Sequence, residues 1–158
     1  MERSTADLCD AHSDIQVVQP LFHDFGGRRA FHGPIATVRI ADDNTSVRAL
    51  LEQPGAGRVL VVDNGGSLHC AVVGDQLATL LHDNGWAGIV VHGCIRDSAA
   101  LATMPVGVKA LAAMPRKSAK RGPGELDAPV TFAGVTFTPG HYLYADGDGM
   151  VVAAHPLT

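Results

Sequence analysis

Two short apolar runs, VLVV at 59–62 and IVV at 89–91, constrain the fold of this chain more than any other feature. Both are rich in β-branched residues and neither alternates with polar ones, so each reads as a strand buried on both faces, the kind found in a parallel sheet. Between them lies DQLATLLHDNG, where Leu77, Leu80 and Leu81 fall on one helical face and Gly85 stands where a helix would end. Strand, helix and strand in that order predict an α/β architecture.

The flanking segments extend the pattern. Thr5 is placed to cap a short helix through ADLCDAH. Residues 35–40 read as a strand; Asn44 or Thr45 then opens a helix carrying Val47, Leu50 and Leu51, and Pro54 and Gly55 end it. HCAVV leads to Gly74, residues 98–103 form another short helix, and 106–111 a further strand. After the loop PRKSAKRGPGELD, two VTF segments flank Ala133 and Gly134 as a hairpin, and MVVAA supplies the last strand. The expected fold is a single α/β domain over residues 1–158 with a mixed central sheet. A chain of 158 residues is long enough to bury a sizeable core, and its 18 glycines fit many tight turns better than a helical bundle.

Charge narrows the partners. Twelve Lys and Arg against sixteen Asp and Glu leave a formal charge of -4, and the pI is near 6.0, which argues against binding nucleic acid through phosphate contacts. A small anionic substrate needs only one local positive site. Cys9, Cys70 and Cys94 are odd in number and form no CxxC pair, which predicts free thiols in a reducing cytoplasm. The opening MERSTADLCDAHSD does not read as a leader, and no run approaches the roughly 18 apolar residues that span a bilayer.

Several motifs compete for chemistry. RVLVVDNGGS places Asp and adjacent glycines after a strand, but it contains neither GxGxxG nor a P-loop, so it reads as a tight turn. His69-Cys70 and His92-x-Cys94 lack zinc-motif spacing. Lys109, inside the apolar VGVKALAAM, could form a Schiff base if desolvated; the commoner arrangement, and the one expected here, is the exposed face of an edge strand. Arg116, Lys117, Lys120 and Arg121 make a basic loop that serves either an anion, a partner surface or solvent.

The strongest constellation joins two strand ends. Gly74 precedes a helix, leaving the amides of Asp75, Gln76 and Leu77 free to receive a carboxylate. About twenty residues on, the next strand ends at Arg96 and Asp97. Ligand crevices of open α/β sheets lie beyond the carboxyl ends of the strands. Arg96 suits a carboxylate or carbonyl oxygen, and Asp97 suits a hard cation. On spacing alone, a salt bridge within the turn explains the pair equally well.

At these residues the sequence resembles the RraA-like family, which includes class II 4-hydroxy-4-methyl-2-oxoglutarate aldolases. The resemblance runs nearly end to end, through QPLFHDFGGRRAFHGPIATVRI, the DN of ADDNTSV, GRVLVVDNGGS, VVGDQLA, VVHGCIRD, GVTFTPGHYLYAD and DGMVV. It implies a compact α/β/β domain, a cytoplasmic homotrimer with active sites near subunit interfaces, and cleavage of 4-hydroxy-4-methyl-2-oxoglutarate to two pyruvates. Oxaloacetate decarboxylation would be a side activity. It also implies that Gly74, Asp75, Gln76 and Leu77 bind the substrate carboxylate, that Arg96 binds substrate, and that Asp97 is the ligand of a divalent cation, magnesium or manganese. Where the family pattern often has an acidic residue three positions after this Asp, the sequence has Ala100. An acidic group that longer aldolases draw from a neighbouring subunit has Glu125 and Asp127 as its local candidates here. Similar sequences have carried two other names, a menaquinone-pathway methyltransferase and an inhibitor of ribonuclease E. The second makes regulation of that ribonuclease the alternative function.

Overall fold

In the computed structural model, which describes residues 3–157, the two apolar runs lie side by side as parallel strands, in register from Val59 opposite Gly88 to Asp63 opposite His92. The elements in chain order begin with α1 (Thr5–Ala11), β1 (Gln16–Val17), β2 (His23–Asp24), β3 (Phe31–Arg39), α2 (Thr45–Leu51) and β4 (Val59–Asp63). They continue with β5 (Ala71–Val73), α3 (Asp75–Asp83), β6 (Gly88–Ile95), α4 (Ser98–Thr103) and β7 (Val108–Ala113). The last are β8 (Glu125–Leu126), β9 (Val130–Phe132), β10 (Val135–Phe137), β11 (Tyr142–Asp146) and β12 (Gly149–Ala153).

The main sheet runs β1-β12-β11-β3-β4-β6-β7-β2, with β5 added beside β6 and β8 beside β3. Its centre, β3-β4-β6-β7, is parallel, and β11, β12, β1 and β2 join antiparallel. The sheet is therefore mixed, as expected. β3 joins its two parts: residues 31–34 pair with β11, and residues 35–39 pair with β4.

Burial explains why the two runs do not alternate. Leu60, Val62, Ile89 and Val91 pack under α2, α3 and α4 with Val47, Leu51, Leu77, Leu81 and Leu101. Val59, Val61 and Val90 face the other way, onto Val130, Phe132, Val135 and Phe137 of the β9–β10 hairpin. Both faces are dry, so an apolar residue is favoured at every position. The hairpin turn has positive φ at Ala133 (50°) and Gly134 (75°), the backbone twist that a two-residue hairpin needs. Phe31 fills the space that Gly88 and Gly107 leave, since a Cβ on either would lie within 2.4 Å of its ring.

Local departures from expectation have physical reasons. Ser4, not Thr5, caps α1 by accepting from the Asp7 amide at 3.1 Å. Thr5 is buried and gives both its amide and its hydroxyl to Asp146, pinning α1 to β11. β3 starts four residues earlier than read and β6 runs four residues further. β7 begins two residues later, and β1, β2, β8 and β11 are additional strands. Asn84 and Gly85, the latter at φ 77°, end α3 where the glycine predicted.

Candidate active site

The carboxyl ends of β5 and β6 converge, with Val73 opposite Ile95, so the residues following each strand meet in space. Gly74 follows β5 and N-caps α3, but it has no side chain to cap with. Asp97 supplies the cap instead: its Oδ2 accepts from the Asp75 amide at 3.0 Å. A Cβ on Gly74 would sit 2.6 Å from that oxygen and 3.4 Å from Arg96 Cγ. Only glycine lets the strand end, the arginine and the aspartate approach so closely.

Asp97 itself sits at φ 60°, ψ 39°, a left-handed conformation that Asp tolerates better than most residues. That twist turns the chain from β6 into α4 and leaves Asp97 exposed at the cleft. Arg96 is half-buried and anchored through its amide, which donates to the Val73 carbonyl at 2.9 Å. The ion pairs among the described residues involve Arg39, Arg48, His92 and Lys109, and not Arg96 or Asp97. The adjacent charges therefore do not pair with each other, and both line one cleft.

That cleft has a volume of about 120 Å³. It is lined by Gly74, Asp75, Gln76 and Leu77 on the α3 side and by Arg96 and Asp97 on the other. Leu77 is buried, so it offers its backbone rather than its side chain. Pockets for drug-sized ligands start at about 300 Å³, so this cleft suits a metabolite of a few carbons.

Its donor set suits some cations and not others. Among the described residues, no three His, Cys, Asp or Glu side chains gather as a metal-binding group, which disfavours a structural zinc. Magnesium keeps several waters and is held by one or two carboxylates together with substrate. The exposed Asp97 carboxylate, on a small polar cleft that Asp75 also lines, fits that demand.

The chain matches known proteins along its length. The family model described as "RraA-like: Aldolase/RraA" matches residues 5–152. The chain belongs to the RraA-like family. A relative in Alkalilimnicola ehrlichii, 58% identical over 99% of this chain and 98% of its own, bears the name "Putative 4-hydroxy-4-methyl-2-oxoglutarate aldolase". A solved Thermus thermophilis structure described as the RNA-processing inhibitor RraA superposes with TM-score 0.96 at 46% identity, covering all of this chain and 96% of that one. A Geobacillus kaustophilus structure described as an S-adenosylmethionine: 2-dimethylmenaquinone methyltransferase gives TM-score 0.95 at 49% identity, covering 98% and 97%.

Within this RraA-like chain the cleft is also lined by Asn44 and Lys117, read from sequence only as a helix start and as part of the basic loop, and by Arg48 and Ser118, which sequence reading did not single out. Asn44 donates to the Val72 carbonyl at 3.1 Å and braces the end of β5. Asp43 is the most heavily bonded carboxylate nearby. It is buried and accepts from the Thr45 hydroxyl and amide and from the amides of Arg121 and Gly122. Those bonds, the Thr45 hydroxyl first, hold its carboxyl well below the usual carboxylate range. Asp43 thus fastens the basic loop to the start of α2. The signals available in sequence were the DN of ADDNTSV and the loop's charges.

Other candidates fall outside. Glu125 pairs with Arg39 at 3.6 Å, and neither it nor Asp127 lines the cleft. Ala100 is exposed on α4 and does not line it either. Lys109 corrects an expectation: it is buried at 2% exposure, on β7, which β2 covers. Its Nζ donates to the Asp146 carbonyl at 2.6 Å and forms an ion pair with Asp24 Oδ1 at 3.1 Å, without hydrogen-bond alignment. It borders a separate cavity of about 190 Å³ with Phe22 and His23, which shares no lining residue with the Arg96 cleft. That cavity is larger than the Arg96 cleft, but the Lys109 ammonium is already engaged by the Asp146 carbonyl and Asp24, which leaves the Schiff-base reading unsupported.

The His and Cys residues have other partners. His92 bonds Asp63 at 3.1 Å and stacks on Phe132, and Gly66 of the DNGG turn packs against its ring. All three cysteines are free. Burial, then the hydrogen bond to Asp42, pushes the Cys70 thiol up to about 11, so it is no thiolate at neutral pH.

Proposed function

We propose that this protein is a divalent-metal-dependent aldolase that cleaves 4-hydroxy-4-methyl-2-oxoglutarate into two molecules of pyruvate. One observation carries the reading: Arg96, Asp97 and the α3 amides line one small cleft in a chain 58% identical to a relative bearing that enzyme's name.

The amides of Gln76 and Leu77 receive the C1 carboxylate, favoured by the helix dipole, while that of Asp75 is held by Asp97. Arg96 holds the C2 carbonyl oxygen. Loss of the 4-hydroxyl proton lets the C3–C4 bond break; its electron pair moves into C2–C3 and the C2 oxygen becomes an enolate. The C4 fragment leaves as one pyruvate, and protonation at C3 gives the second. Arg96 binds the enolate oxygen more strongly than the neutral ketone, and this difference lowers the barrier. Asp97 would hold the cation, magnesium or manganese, whose charge would add to that of Arg96 at the same oxygen. Oxaloacetate loses carbon dioxide through the same pyruvate enolate, so decarboxylation accompanies the aldolase activity.

The test is pyruvate release from 4-hydroxy-4-methyl-2-oxoglutarate with magnesium, before and after chelation. Turnover that survives chelation and is trapped by borohydride would replace the metal mechanism. The family resemblance adds a homotrimer, measurable by light scattering.

A second reading, regulation of ribonuclease E, is supported by the Thermus thermophilis neighbour and by the basic loop. Lys117 lines the cleft, which favours the enzyme. Capture of the ribonuclease that disappears on neutralising Arg116, Lys117, Lys120 and Arg121 would favour the regulator.

A further inference from the structure

Resting on the aldolase reading above, we infer that Arg48 and Lys117, with the Ser118 hydroxyl, form the subsite that reads the second carboxylate of a dicarboxylic 2-oxo acid. Three cations, Arg48, Arg96 and Lys117, line the cleft against two carboxylates, Asp75 and Asp97. Arg96 and the α3 amides are enough for the carboxylate and carbonyl of one 2-oxo-acid head. Arg48 and Lys117 are surplus to that head, and they come from different elements, α2 and the loop after β7. A monoacid would leave this positive wall without a counter-charge, whereas a diacid fills it.

Neither cation is placed by chance. Lys117 lies in a segment that bridges to Ala71 in parallel register, and the Ala71 amide donates to the Arg116 carbonyl at 2.7 Å. Further along, the amides of Arg121 and Gly122 bind Asp43, and that of Gly124 donates to Ser46 Oγ at 2.7 Å. The loop is thus fastened at both ends to the elements that build the cleft. Arg48 stands on α2, which begins beside Asp43. Its contact with Glu52 is 3.9 Å long and exposed, too weak to withhold the guanidinium from a ligand. Of the four basic loop residues Lys117 alone lines the cleft, and it also borders a neighbouring cavity that Arg116 and Arg121 line with Asp42 and His69.

The experiment compares kcat/KM for 4-hydroxy-4-methyl-2-oxoglutarate with that for 4-hydroxy-2-oxopentanoate, which undergoes the same cleavage but has one carboxylate. Wild type should prefer the diacid. In Arg48→Gln and Lys117→Met the diacid-to-monoacid ratio should fall ~10- to 100-fold, the range of one charge-assisted hydrogen bond. Lys117→Arg should restore most of it. Calorimetry gives a readout independent of turnover: the variants should lose affinity for 2-oxoglutarate by a larger factor than for pyruvate. A ratio that stays intact, or equal losses on both ligands, overturns the subsite. Wild type that cleaves neither substrate overturns the aldolase reading instead, and the calorimetric ratio then decides the subsite by itself.

Discussion

Asp97 Oδ2 accepts the Asp75 amide at 3.0 Å across 22 residues of sequence, so the proposed metal ligand also caps the helix proposed to receive the substrate. The two roles can be separated. Asp97→Asn keeps an oxygen for the Asp75 amide but loses the charge. The variant should fold with a melting temperature close to that of wild type, lose magnesium binding in calorimetry, and turn over at least ~100-fold more slowly. Asp97→Ala loses the cap as well and should cost about 1 kcal/mol more in stability.

Gly74 is predicted to be irreplaceable for activity and tolerable for folding. Its φ of -136° is extended backbone that alanine adopts, but an added Cβ would displace the Asp97 carboxylate. Displacements near 1 Å can cost about 100-fold in rate. Gly74→Ala should show such a loss in kcat/KM with a nearly native circular-dichroism spectrum.

Asp43→Asn should loosen the loop that presents Lys117. The amide side chain meets four donors with one oxygen, and an unsatisfied buried group costs about 1–3 kcal/mol. Limited trypsin digestion should cut the variant faster than wild type after Arg116, Lys117, Lys120 or Arg121. The pH dependence has a definite sign. The Asp43 carboxyl titrates lower in the folded chain than the roughly 3.9 of an unfolded one. Its stabilisation is therefore complete above about pH 4 and lost as pH falls through the folded value. Acid unfolding of the variant should show a shallower slope in that window.

Thiol labelling should distinguish the cysteines. Cys9 is exposed, Cys70 is pushed up to about 11, and burial raises Cys94. At pH 8 iodoacetamide should modify Cys9 alone, with Cys70 and Cys94 reacting only in denaturant. Fast labelling of Cys70 in the native protein would contradict its hydrogen bond to Asp42.

How much of this was legible in the sequence depends on range. The buried runs at 59–62 and 89–91 gave the parallel centre because burial on both faces leaves a local, uninterrupted signature. Gly74, Arg96 and Asp97 were legible because each ends an element whose periodicity marks it. The strands β1, β2 and β8 have two mostly exposed residues each, so no periodicity could reveal them. Lys109 was misread for a related reason: its partners, Asp24 and the Asp146 carbonyl, reach it only through the fold. Asp43 and Lys117 join the site through amides 78 and 79 residues away and through a single bridge, contacts that leave no mark on local composition.

The divided pairing of β3 has a consequence for handling this protein. Residues 35–39 lead directly to Asp43 and Asn44 at the cleft, whereas residues 31–34 are covered by β11. A chain truncated before Tyr142 would bare the backbone of 31–34 as a raw edge that other chains can zip onto. One strand thus sets cleft geometry at one end and colloidal behaviour at the other, and shortening the C-terminus would be felt first as aggregation.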